Sequence, residues 1–162
     1  MLEVQNARAL AADRGREVAI GEWLPVTQER IDRFAGAIDD RQWIHVDPAR
    51  AAHESPFGTT IAHGFLTLSL FTALLRSAVS VVDGGLAINY GFNRLRFVTP
   101  VAVNSRIRGR FIPAEIDDVG GAVQVTWGVT IECEGKTKPC CVAEWLVRYY
   151  AAPRSPDSPG TA

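Results

Sequence analysis

Between His63 and about Val82, the residues Phe65, Leu66, Leu68, Leu70, Phe71, Leu74, Leu75 and Val79 leave a helix almost no polar face. A helix that is apolar all round cannot rest on a water-facing surface; it must be enclosed by lipid or by the rest of the fold. Thr67, Ser69, Thr72, Arg76, Ser77 and Ser80 interrupt the run, and a spanning helix needs about 20 mostly apolar residues. The segment is therefore expected as a central helix buried in protein, with no membrane as partner.

The chain that must bury it has 162 residues, 47% of them hydrophobic and 22% charged, the proportions of a single globular domain. Beyond Gly84-Gly85 the apolar period changes from helical to two. Val123, Val125, Trp127, Val129, Ile131 and Cys133 alternate with Gln124, Thr126, Gly128, Thr130 and Glu132, which predicts a half-buried strand. Residues 86–98, 102–113 and 138–150 are the other expected strands. Glu134-Gly135-Lys136 and the stretch from Asp117 to Gly121 carry turn chemistry. Helices come first and strands later, so the expected class is α+β, an antiparallel sheet wrapped around the long hydrophobic helix.

Ahead of that helix, residues 1–15 read as a short helix or an arm, and 16–26 as an extended segment. Thr27 is a good N-cap for an amphipathic helix carrying Ile31, Phe34, Ala35 and Ile38, ending near Asp39-Asp40. An irregular stretch, 41–46, follows. Asp47-Pro48 then starts a short helix through Glu54, with proline at its first position. One domain over 1–150 is expected, with a disordered tail of Pro and Ser over 151–162.

A formal net charge of -1 gives no reason to expect nucleic acid as a partner. Cys133, Cys140 and Cys141 are odd in number, and no Cys-Xaa-Xaa-Cys spacing occurs, so reduced thiols are expected. The first residues lack the basic and apolar regions of an export signal. A cytoplasmic location follows as the expectation.

Two constellations carry chemistry. Asp40 and His45 set a carboxylate and an imidazole five positions apart, just past a helix end. Together they can hold one water from two sides and move its proton, each group contributing roughly 10²–10⁴-fold when well placed. The same spacing also suits an Asp that caps the turn and a His that fills a buried gap. Asp47 is assigned to capping. At Ala62-His63-Gly64, a helix begins with free backbone N–H groups and a glycine that lets a ligand come close. The Gly64 amide would polarise a thioester carbonyl; equally, Gly64 would allow tight helix–sheet packing. His63 reads as a structural hydrogen-bonder.

The run D-x-x-x-x-H-x-D-P from Asp40 to Pro48, followed by Ala-His-Gly-Phe at 62–65 leading into an apolar helix, resembles the MaoC-like dehydratases. These are hot-dog-fold proteins that include the (R)-specific enoyl-CoA hydratases and the nodulation protein N relatives. The likeness runs from about Thr27 to Tyr150. It is sharpest in Gln-Trp-Ile-His-Val-Asp-Pro at 42–48 and Gly-Thr-Thr-Ile-Ala-His-Gly at 58–64, as in single-hot-dog bacterial members.

That resemblance implies reversible hydration of trans-2-enoyl-CoA to (R)-3-hydroxyacyl-CoA in fatty-acid metabolism, by a hydro-lyase acting as a homodimer. It makes Asp40 and His45 the catalytic pair and gives the thioester oxygen to the Gly64 amide. Thr72 falls where some members carry a functional serine. Gln42 stands where many members have asparagine in the substrate-binding loop, and Trp43 replaces a proline; both departures bear on loop shape and acyl preference. No metal or redox cofactor is implied, coenzyme A being part of the substrate. Arg94, Arg96, Arg106, Arg108 and Arg110 are candidates for its phosphates, or else the solvent face of strands.

Three rival functions can be stated. A metal hydrolase would draw on His45, Asp47, His53 and His63, whose spacing fits no compact zinc pattern. A hot-dog acyl-CoA thioesterase would place a carboxylate on the central helix, yet residues 64–80 hold no Asp or Glu. A non-catalytic acyl-thioester binder would use the same pocket with Asp40 and His45 serving structure alone.

Overall fold

The computed structural model of the chain describes residues 1–151. Four long strands form most of one antiparallel sheet: β5 (Gly84–Phe97), β6 (Ser105–Val119), β7 (Ala122–Cys133) and β8 (Cys141–Ala151). Two short strands, β2 (Ala19–Ile20) and β3 (Leu24–Val26), both pair with β6, and the sheet runs β2-β6-β7-β8-β5. They bear out the extended reading of 16–26. A separate parallel pair joins β1 (Leu2–Val4) to β4 (Val79–Val81). A 3₁₀ helix, Ala7–Asp13, lies between β1 and β2.

The alternation read from β7 is observed except at Thr126, which is buried. Val125, Trp127, Val129 and Ile131 face the core, while Gln124, Gly128, Thr130 and Glu132 face outward, half-buried. Gly120 and Gly121 close the β6–β7 hairpin at φ +53° and +83°, a two-residue turn that needs positive φ at both positions. β6 is longer than the expected 102–113. It passes Pro113 through a register shift between Pro113 and Glu115, the kind of bulge that lets a strand absorb a proline.

The helices lie on the concave face. α1 (Gln28–Ile38) begins where expected, the Thr27 side chain accepting from the Arg30 amide, and ends on Asp39 in the left-handed region at φ 59°. The stretch expected to be irregular contains one helical turn, α2 (Trp43–Val46), followed by α3 (Pro48–Glu54), whose N-cap Asp47 accepts from the Arg50 amide at 3.0 Å.

The central helix is shorter than the apolar run suggested. It comprises α4 (Gly64–Ser69) and α5 (Phe71–Arg76), and the rest of the run forms β4. The break coincides with Ser69, whose hydroxyl donates to the Phe65 carbonyl one turn back at 2.7 Å, a back-bond that bends helices. Nor is it buried all round: Phe65, Ser69, Ala73 and Arg76 form an exposed stripe, Phe65 being 64% exposed. The opposite face carries Leu66, Phe71, Leu74 and Leu75 into the core, where Phe71 meets Trp145 edge-on at 5.8 Å and Phe111 meets Trp127 at 6.2 Å. Phe111, Trp127, Phe71 and Trp145 are the largest contributors of buried apolar area. The result is the expected α+β hot-dog arrangement, a curved sheet around a central helix.

Of the expected tail, Ala151 closes β8; residues 152–162 lie outside the described residues. Among the described residues no helix is long and apolar enough to cross a membrane. Cys133, Cys140 and Cys141 are free and buried.

Candidate active site

Asp40, His45 and Gly64 come from three segments that meet at one end of the sheet. The left-handed Asp39 turns the chain out of α1 and delivers Asp40, whose Oδ1 accepts from the Gln42 amide at 3.3 Å. α2 follows at once and carries His45 inward. Its ring is buried, and Nδ1 lies 2.7 Å from the Ile61 carbonyl. A carbonyl only accepts, so Nδ1 carries the proton and Nε2 is left with a free lone pair. Burial, helped by the neighbouring His63, pushes His45 below the ordinary imidazole range against the opposing pull of Ile61 and Asp40. His45 is thus held as a neutral imidazole.

The backbone of His45 is braced as well. Gln28, at the start of α1, donates to the His45 carbonyl at 2.7 Å and accepts from the Thr60 hydroxyl at 2.6 Å. Thr60 and Ala62 are tied in turn to Val103 and Val101 by backbone bonds of 2.9 and 2.8 Å. The loop before α4 is therefore fixed to the connection between β5 and β6, and His45 is fixed to the loop.

Gly64 is the first residue of α4, where the amide precedes any intrahelical acceptor. A Cβ here would lie 2.9 Å from the Phe97 ring, so the packing reading of this glycine holds too: the same close approach that seats Phe97 leaves the amide uncovered by a side chain. Both residues line a cleft of about 260 Å³ together with His45, Thr67, Thr99 and Cys140. Cys140 donates to the Ile131 carbonyl, and burial pushes its thiol up to about 12. It remains a thiol, not the thiolate that would attack an unsaturated thioester.

Asp40 is not among the residues lining that cleft; its side chain is 49% exposed, with Oδ2 3.8 Å from His63 Nε2. One ligand atom from each of Asp40, His45 and His63 lies within 4.8 Å of the others. The donor set invites a cation, but the two imidazoles are stacked, centroids 3.7 Å apart and planes 24° from parallel. Nitrogen lone pairs lie in the ring planes, so an ion about 2.0–2.1 Å from one nitrogen would sit well out of the plane of the other. Stacked rings are a poor arrangement for two nitrogens on one ion.

His63 Nε2 lies 3.0 Å from the Asp40 carbonyl, its ring is also tilted against Phe34, and its Nδ1 is buried with no partner. An orphaned buried nitrogen costs about 1–3 kcal/mol. Stability alone does not explain a histidine there.

The other expected residues lie elsewhere. Gln42 is exposed at the N-terminus of α2 and does not line the cleft; its main chain, bonded to Asp40 and His45, shapes the turn between them. Thr72 lines a second cavity of about 380 Å³, between α5 and the β5–β8 edge, with Leu75, Arg76, Trp145 and Val147. Arg106, Arg108 and Arg110 are occupied by Glu134, Glu132 and Glu17. Arg96 has no carboxylate partner among the described residues and neighbours Phe97 of the cleft wall. Gln28, Thr67, Phe97 and Cys140 were not foreseen. Only the Thr-rich step before Ile61 hinted at the anchoring of the loop.

The chain is similar to known proteins along most of its length. The family profile described as "MaoC like domain" matches residues 10–134. The "3-hydroxyacyl-thioester dehydratase Z" of Mycobacterium tuberculosis is 49% identical over 152 residues, covering 93% of this chain and 100% of that protein. "Nodulation protein N" of Rhizobium leguminosarum bv. viciae is 47% identical over 134 residues, 82% of this chain and 83% of that protein. Among solved structures, the "(R)-hydratase from A. caviae involved in PHA biosynthesis" superposes with a TM-score of 0.60 at 24% identity, over 79% of this chain and 94% of that one. Motif, fold and these likenesses agree: the chain belongs to the MaoC-like dehydratase family.

Proposed function

We propose that this hydro-lyase hydrates trans-2-enoyl-CoA reversibly to (R)-3-hydroxyacyl-CoA, with Asp40 and His45 as the acid–base pair and the Gly64 amide as the thioester-oxygen donor. The observation that carries the reading is the meeting of the His45 imidazole with the Asp40 carboxylate, ligand atoms within 4.8 Å, where His45 lines a cleft that also holds Gly64, the first residue of α4. The mycobacterial relative's printed name, a 3-hydroxyacyl-thioester dehydratase, supports the reaction class; the coenzyme A carrier and the (R) product are the finer part of the proposal.

In this reading His45 Nε2 and the Asp40 carboxylate hold one water. As its oxygen bonds to the β-carbon, one of the pair takes a proton and a proton reaches the α-carbon from the same face. The roles of acid and base belong to the pair. Charge building on the thioester oxygen is met by the Gly64 N–H, a donor of a kind worth about 3–4 kcal/mol elsewhere. Hydration changes no oxidation level, so the scheme uses neither metal nor redox cofactor. Arg96 is the remaining candidate for a coenzyme A phosphate.

Thr72 and its cavity beside α5 take the acyl chain. The partner is a second copy of the chain. β5 is an edge strand of 14 residues carrying exposed Leu86, Ile88, Tyr90, Phe92 and Phe97, with Phe65 beside Phe97. Such an edge calls for covering, and pairing two β5 strands would cover it. A cytoplasmic setting suits three reduced, buried cysteines.

Absorbance assays with crotonyl-, octenoyl- and dodecenoyl-CoA, with chiral separation of the products, test the reading. Hydration of at least one to the (R) alcohol is expected. Release of free thiol without hydration would favour a thioesterase, and binding without turnover a non-catalytic binder.

A further inference from the structure

We infer that His63 is a positioning residue that holds the Asp40 peptide and sets the orientation of the His45 ring. The inference rests on the hydration reading and names what holds its two groups in place.

His63 occupies the N-cap of α4, yet its side chain makes no capping bond. The ring turns the other way, into the space between α1 and α2. It is 3% exposed, flanked by Phe34 at 5.4 Å and stacked on His45 at 3.7 Å. Donation from Nε2 to the Asp40 carbonyl at 3.0 Å places the proton on Nε2. A phenylalanine would fill this space without an orphaned nitrogen, but would leave the Asp40 peptide unheld. An asparagine or glutamine would hold the peptide but could not stack. Histidine does both.

The consequence is a clamp on three segments. Asp40 is half-exposed, and its own carboxylate makes only the 3.3 Å bond to the Gln42 amide. Without the Nε2 bond the turn after Asp39 has no other tie to the start of α4 among the described hydrogen bonds. The stacked ring fixes the plane of His45 and therefore the direction of its Nε2 lone pair. His63 also opposes protonation of His45, in the same sense as burial. The groups facing His45 are Asp40, His63, the Ile61 carbonyl and the neutral Cys140 thiol of the same cleft; only His63 adds to the burial effect.

His63→Phe and His63→Gln separate the two roles, since the first keeps a flat ring and the second keeps an N–H donor. Two readouts are used: kcat and KM for trans-2-octenoyl-CoA across pH, and NMR titration of the His45 ring without substrate. For His63→Phe, kcat is expected to fall about 10²-fold, as for misplacement of a reacting group, with KM little changed. His63→Gln recovers part of that loss. In both variants His45 titrates at higher pH, because the neighbour opposing its protonation is gone.

Thermal melting establishes that the variants fold; should His63→Phe not do so, His63→Gln carries both readouts. A wild-type kcat in a folded His63→Phe variant would overturn the proposal, as would a His45 titration unmoved in both. If the wild type hydrates no enoyl thioester, the hydration reading fails while the NMR titration still decides the role of His63.

Discussion

The β7–β8 pair and the corner holding Asp40, His45 and His63 obey opposite rules. Along β7 and β8 every second residue is buried and predominantly apolar, and the buried hydroxyl of Tyr149 is met by the Trp127 indole N–H at 3.2 Å. In the corner, a residue sits at positive φ, two imidazoles stack, and a buried nitrogen has no partner. The strands gain stability from consistency between pattern and burial. The corner gives some of it up to hold polar groups out of water. Local rules fail where the chemistry is placed.

The sharpest test of that division is mutation of the corner. Asp40→Asn and His45→Gln are each expected to cut kcat by about 10²–10⁴-fold, with thermal melting close to wild type. His45→Gln retains an N–H for Ile61, and Asp40 is exposed. A large fall in melting temperature in either variant would show that the corner bears the fold as well.

The converse substitution, Trp127→Ala in the sheet, is expected to cost about 3–5 kcal/mol in denaturant unfolding. The folded fraction should still hydrate substrate. If turnover falls far more than the folded fraction does, sheet and corner are not separable.

How the two regions join was only partly legible in the sequence. The strands were, because a period of two survives in β7 whatever surrounds it. Asp40, His45 and Gly64 were also legible, because they lie on one short contiguous stretch. The central helix was drawn too long: an apolar run cannot tell a buried helix from the buried strand Val79–Val81, whose pairing partner is β1, more than seventy residues earlier. Phe97 and Cys140 reach the cleft from β5 and the end of the β7–β8 connection. Only the sheet order brings them there.

Gln28 is the joint between the regions, bonded to His45 on one side and to Thr60 on the other. Gln28→Ala leaves the fully buried Thr60 hydroxyl without that partner and should cost about 1–3 kcal/mol, measured by urea unfolding, together with a smaller loss of kcat. Loss of stability with unchanged kcat would show that the brace does not reach the chemistry.

The smallest effect concerns pH. Burial holds His45 below its value in the unfolded chain, about 6.5, so folding favours the neutral ring. Its contribution to stability is complete above that value and is lost as pH falls through the lower folded value. Activity should follow the same limb, kcat/KM falling on the acid side. His45→Gln should remove that part of the pH dependence of unfolding, and an unchanged profile would argue that His45 is not the buried base.

A high-resolution crystal structure of the protein without substrate would probe the pairing of the two groups most directly. The account predicts an ordered solvent molecule about 2.6–3.2 Å from both His45 Nε2 and an Asp40 carboxylate oxygen, facing the Gly64 amide across the cleft. Side chains that diverge, with no solvent shared between them, would contradict it.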